Sequence, residues 1–239
     1  MKKLSFRDGL RHGVPIGLGY LSVAFAFGIQ AVALGLEPVQ ALLISMTNVT
    51  SAGQLAGISL MAAGASLMEM ALTQLTINLR YALMSLSLSQ KMDESMQTLQ
   101  RMIFSFCNTD EIFAVAASQD GRLGKHYLYG LMIIPWIGWS LGTILGAAAG
   151  TLLPEFFRTA LGIAIYGMFL AVIIPPSRKQ KPVRLVVILA AVISVILKYT
   201  PGLRNIPSGY AIILCAVAAS TIGALRFPVP DEEEEGKEA

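Results

Sequence analysis

Charge is scarce in this sequence. Only 14% of its 239 residues are Asp, Glu, Lys or Arg, while 54% are hydrophobic. Soluble domains carry about 25% charge, and a chain of this length needs that charge to keep its surface in water. A soluble domain is therefore excluded. Cysteine is nearly absent too. Cys107 and Cys215 lie far apart in apolar stretches, which gives neither a disulfide framework nor a metal-ligand spacing, and they read as small buried hydrophobes. No Gly-x-x-x-x-Gly-Lys-Ser/Thr loop is present to cradle a nucleotide. No Ser/His or His/Glu spacing suggests an intramembrane protease, and nothing argues for haem, flavin or metal. No basic patch interleaved with aromatics suggests nucleic acid. The two histidines, His12 and His126, sit among basic residues at the ends of apolar runs, as interfacial groups do. The expectation is a protein that is not an enzyme and carries no cofactor.

What the chain has instead is apolar runs long enough for the roughly 30 Å hydrocarbon core, which takes about 20 helical residues. Segments near 14–36, 39–63, 66–89, 102–118, 127–152, 157–175, 183–200 and 209–226 qualify. The predicted fold class is all-α: a polytopic membrane helix bundle of about six to eight transmembrane or re-entrant helices, some of them broken. Residues 1–12 read as a basic cytoplasmic segment, 13–226 as a transmembrane transport domain, and 227–239 as an acidic disordered tail. Lys2, Lys3, Arg7 and Arg11 precede the first run. A cleaved signal peptide is rejected because that run continues through Ala33 and further spans follow. If all eight segments cross, the Lys and Arg bias places both termini in the cytoplasm. Lys91 and Arg101 then fall outside. If 39–63 is re-entrant, that loop moves inside and another segment must also fail to cross. Trp136 and Trp139 suit a membrane interface. Glycines spaced by four, Gly9-Gly13-Gly17 and Gly142-Gly146-Gly150, predict close helix packing, either internal or with a second protein.

Polar groups inside spans are costly and so mark candidate sites. Three clusters stand out. Asn48-Val49-Thr50-Ser51-Ala52-Gly53-Gln54 interrupts the second run, either as an unwound helix lining a cavity or as a continuous helix with self-bonded hydroxyls. In Glu69–Tyr81, a continuous helix puts Glu69, Thr73, Thr76 and Arg80 on one face and Gln74, Asn78 and Tyr81 on another. At most one of Asn78 and Arg80 is then expected to face a central cavity. Glu69 and Arg80 lie about 16 Å apart along such a helix, so each needs its own partner, and for Arg80 that partner is either substrate or a structural ion pair. Asn108-Thr109-Asp110-Glu111 sits between two apolar runs. It reads as a half-helix starting inside the membrane, with Asn108 as N-cap and Glu111 completing a capping box.

These clusters carry a family resemblance. Ile77-Asn78-Leu79-Arg80-Tyr81 and Thr109-Asp110-Glu111-Ile112-Phe113-Ala114 resemble two segments of the AzlC family of branched-chain amino acid permeases. The entry Phe6-Arg7-Asp8-Gly9, then Pro15 and the Phe25–Gly28 run, and the break Ala52-Gly53-Gln54 add to it. The resemblance runs from Phe6 to about Arg226. It departs at Gly53 and Leu55, where family members often have Ser and Phe, so a pocket shaped by that aromatic would differ here.

The resemblance implies export of branched-chain, apolar amino acids across the cytoplasmic membrane, together with a small AzlD-type membrane partner. A zwitterionic substrate needs an anion, donors for its carboxylate and an apolar pocket. Asp110 or Glu111 is the candidate for the first. Arg80, or free N–H groups near Gly53, are candidates for the second. Phe25, Phe27 and Leu55 are candidates for the third. A second acid can couple transport to the proton gradient. The candidate substrate-binding or coupling residues are thus Asp110, Glu111, Thr109, Asn78, Arg80, Gln54, Gly53 and Ser51. Two alternatives stand beside this: a structural or regulatory membrane subunit, whose buried polar residues are helix glue, and a proton- or cation-conducting protein.

Overall fold

The computed structural model describes residues 4–152, 154, 156, 170 and 173–228. The expected span 157–175 falls largely outside them, as does the acidic tail. The described residues form an all-α membrane bundle in nine named helices: α1 Phe6–Ala33, α2 Pro38–Thr47, α3 Ser51–Ala62, α4 Leu67–Ser89, α5 Thr98–Ser105, α6 Asp110–Ala117, α7 Lys125–Leu152, α8 Lys181–Tyr199 and α9 Ser208–Arg226. Four of these, α1, α7, α8 and α9, are long and apolar enough to cross a membrane. Helix α4 has 23 residues, enough to cross, but carries Glu69, Gln74, Asn78 and Arg80. The chain divides into two compact units, one of residues 1–64 and 77–166, the other of 65–76 and 167–239.

The first unit is built on α1 and α7. Helix α1 starts at a Ser5–Asp8 capping box and runs beside α7 with backbones almost touching. A Cβ on Gly130 would meet the Phe6 carbonyl, one on Gly138 the Gly17 carbonyl, one on Gly142 the Leu21 carbonyl and one on Gly146 the Phe25 carbonyl. The glycine rows are thus an internal seam, as small-xxx-small rows permit in lipid. The partners advance together along both helices, so α1 and α7 are parallel and begin on the same side.

Between them the chain turns back twice. Helices α2 and α3 form an antiparallel hairpin: Gln54 bonds to Ser45 near the break, Ala41 and Ile58 share one apolar cluster, and Met61 and Ala62 return beside Leu36 and Gln40. Helices α5 and α6 do the same from the other side. The Lys91 ammonium donates to the Ala117 carbonyl, and Lys91 and Asp93 exchange backbone hydrogen bonds with Leu123. With 10 and 12 residues in one hairpin and 8 and 8 in the other, each arm reaches about 12–18 Å, roughly half the hydrocarbon core. Neither hairpin crosses. Helix α4 alone carries the chain back from the end of α1 to the start of α7. The unit is therefore a span plus re-entrant hairpin, twice, in opposite directions. Lys91 and Arg101 consequently lie on the side where α1 and α7 begin, not opposite it as eight crossings require.

The second unit contains α8, α9 and the start of α4. Gly223 of α9 packs on Val186 of α8. Glu69 answers the need for a partner: its carboxylate accepts from the Gly209 backbone N–H at 2.7 Å. It thereby caps α9 from another helix, where a negative charge suits the helix dipole.

Candidate functional site

The two hairpin tips meet side chains from the middles of the spans. At the first tip α2 ends at Thr47 and α3 begins at Ser51, so the polar interruption is a true break. Thr50 caps α3, its hydroxyl accepting from the Gly53 N–H at 3.4 Å and donating to the Asn78 amide oxygen at 2.9 Å. Gln54 is 1% exposed and satisfied at both ends. It donates to Ser45 Oγ at 2.7 Å and accepts from the Trp139 indole at 2.8 Å, while Ser45 bonds to Thr143 at 2.6 Å. Ser51 opens α3, and Gly53 is buried. The Gly53 N–H itself is taken by the Thr50 cap.

The second tip is different. Helix α6 begins at Asp110 with Thr109 as N-cap, and no side chain caps its first turn. The expected Asn108–Glu111 capping box does not form. Asn108 points to α4 and donates to Ser85 at 3.1 Å, while Glu111 turns to α1. The Tyr20 hydroxyl lies 2.5 Å from both Thr109 Oγ1 and the Glu111 carboxylate, so the Thr109 hydroxyl is turned to Tyr20. Asp110 pairs with Arg80 at 2.7 Å, both side chains about half exposed (45% and 49%). Arg80 also donates to the Tyr81 hydroxyl and stacks over its ring. Asn108 is 2% exposed, and its Oδ1 has no partner. A buried acceptor left unmade is costly.

Asn78 and Arg80 do point apart, as expected of a continuous helix. Facing nearly opposite ways, Asn78 reaches the first tip and Arg80 the second, and one continuous α4 thereby holds both breaks. Phe27 and Leu55 pack with Ala31, Ala41 and Ile58, and Phe25 lies against Gly146 through its backbone. A cavity of about 440 Å3 is lined by Met46 at the end of α2, Ile103, Phe106 and Cys107 at the second tip, and Met132, Ile133 and Trp136 of α7.

Sequence reasoning missed Tyr20, Ser45, Thr143 and the role of Trp139. Tyr20 and Trp139 touch edge to face with ring centres 5.0 Å apart and link the tips across the α1–α7 seam. Both lie mid-helix, and Trp136 donates to the Met46 carbonyl near the first break. The interfacial placement of the two tryptophans is therefore corrected. The available signal was position: amphipathic rings belong at span ends, so a Tyr or Trp at a span's centre calls for a polar partner.

The family model described as AzlC protein matches residues 15–153, a stretch that takes in both tips, Arg80 and Tyr20. The chain belongs to the AzlC family. Among its relatives, the inner membrane protein YgaZ of Escherichia coli is 28% identical over 95% of this chain and 94% of its own. An uncharacterized membrane protein of Archaeoglobus fulgidus is 33% identical over 73% of this chain and 77% of its own. One from Helicobacter pylori strain 26695 is 28% identical over 68% and 74%. No solved structure matches the chain. AzlC membership makes this a membrane protein with a transport-related role.

Proposed function

We propose that this protein exports branched-chain or similar apolar amino acids, driven by the proton gradient, and that the second tip is its substrate site. The observation that carries the reading is the Arg80–Asp110 pair at the mid-depth end of a half-helix. A guanidinium and a carboxylate already paired can exchange partners with a zwitterion, Arg80 taking its carboxylate and Asp110 its ammonium. Total charge is unchanged, so little electrostatic cost arises in a dry site. The unpartnered Asn108 oxygen offers a further acceptor for the ammonium. The apolar cavity beside Phe106 and Cys107 suits a branched side chain, and its volume is within the usual range for small-ligand sites. Two oppositely directed span-and-hairpin units suit alternating access around a central site, as in transporters with inverted repeats.

The Lys and Arg bias supports cytoplasmic termini, and placing Lys91 and Arg101 on the N-terminal side strengthens it. A small AzlD-type protein is the proposed second component. The test is leucine efflux from cells lacking their own exporters, preloaded with a leucine-containing dipeptide, with and without this chain and its partner. Faster loss of leucine with the pair, abolished by Asp110→Asn, supports export. Unchanged leucine with both proteins stably inserted removes it.

A further inference from the structure

The two adjacent acids of α6 have different partners, and this assigns them different work. Asp110 faces α4 and is paired with Arg80. Glu111 faces α1, where the Tyr20 hydroxyl is its hydrogen-bond partner, and among the described residues it makes no ion pair. The titratable and charged groups around it are Tyr20 from α1, Arg80 and Tyr81 from α4, and Asp110 on its own helix. With Arg80 and Asp110 both ionised, an ionised Glu111 leaves the tip with a net negative charge, and a protonated one leaves it neutral. On the empty return a low-dielectric layer favours the neutral tip, and the carboxylate that can be neutralised without stranding a cation is Glu111.

We infer that Glu111 is the proton-carrying group of this transporter and that Tyr20 is the positioning residue that holds its carboxylate, while Asp110 remains ionised for substrate. The inference rests on reading the second tip as a transport site. The step is a simple protonation: once substrate has left, the Glu111 carboxylate takes one proton from hydronium on the proton-rich side, leaving water, carries it through the empty return, and gives it to water on the other side before the next substrate binds. The phenol keeps its own proton throughout. While Glu111 is ionised, Tyr20 donates to it. Once Glu111 is protonated, the phenol is free to turn wholly to Thr109, which already lies within bonding distance.

The test separates coupling from binding. The full chain, with its partner, is reconstituted in vesicles, and labelled leucine is followed in two modes: accumulation driven by a pH difference, and leucine-for-leucine exchange at equal pH. Glu111→Gln is expected to lose gradient-driven accumulation roughly tenfold or more, the scale on which acid–base groups contribute, while keeping exchange within about twofold of wild type. Asp110→Asn is expected to lose both. Tyr20→Phe removes the phenol's hydrogen bonds to Glu111 and to Thr109. It should keep both modes but move the pH midpoint of transport. Gradient-driven accumulation by Glu111→Gln overturns the assignment, and so does its loss of exchange in protein that is inserted at wild-type abundance. Should Glu111→Gln fail to insert, an unmoved midpoint in Tyr20→Phe overturns it. A wild-type protein that moves no amino acid in either mode removes the transport reading itself, and this assignment with it.

Discussion

The two breaks are alike in topology and opposite in chemistry. Each ends a half-depth hairpin, and each has a threonine cap at the start of its second arm. The first carries no charge, and the Gln54 amide buried there is bonded at both ends. The second carries an ion pair at half exposure, a carboxylate held by a phenol, and a buried oxygen with no partner. A break whose buried amide is bonded at both ends has little left to offer a substrate and serves as a fixed joint. The open, charged one retains groups that can change partners, and at its tip the Thr109 hydroxyl is turned to Tyr20 and does not cap the helix. Buried polar groups inside a span are thus of two kinds, and the distinction lies in what remains unsatisfied.

The largest effect removes the frame that both breaks share. Gly146→Leu puts a side chain where the Phe25 carbonyl lies, and the backbones cannot give way. Little or no inserted protein is expected, read as abundance in isolated membranes, and normal abundance would show that the α1–α7 seam is not as closed as drawn. Next comes Asp110→Asn at the second break. Transport should fall roughly tenfold or more at unchanged abundance, measured as leucine efflux per molecule, and retained efflux would make the second break as inert as the first. At the first break, Gln54→Ala strands the Trp139 indole N–H and leaves the Ser45 hydroxyl with Thr143 alone. It should lower stability by about 1–3 kcal/mol, seen as a lower melting temperature in detergent, with efflux per molecule kept. A loss of efflux without a loss of stability would give the first break a share in the site. Smallest is Thr50→Val, which removes the α3 cap and one bond to Asn78. A destabilisation of about 1 kcal/mol is expected on the same melting assay, and transport should persist.

Much of this was legible in the sequence, for physical reasons. Lipid imposes a length on every crossing and a penalty on every polar group. The missing charge therefore established a membrane protein, and the polar interruptions at Asn48–Gln54 and Asn108–Glu111 showed where helices end inside it. Spacing by four marked the glycine seam. Arg80 and Asp110 stood out individually because a charge in a span needs a reason. Partners were another matter. Hydropathy reports how apolar a segment is, but a hairpin of two half-helices and one crossing helix bury similar lengths of apolar chain, so the number of crossings stayed open. That Asp110 takes Arg80 while its neighbour Glu111 takes Tyr20 depends on one turn of α6 facing α4 on one side and α1 on the other. Local pattern placed Asn108 in a capping box, and tertiary contact drew it to Ser85 instead. By itself the sequence determined the class, the breaks and the groups too costly to be idle. Only the tertiary structure decided which of those groups are already satisfied, because satisfaction depends on residues distant in sequence that meet when opposed hairpins share one depth.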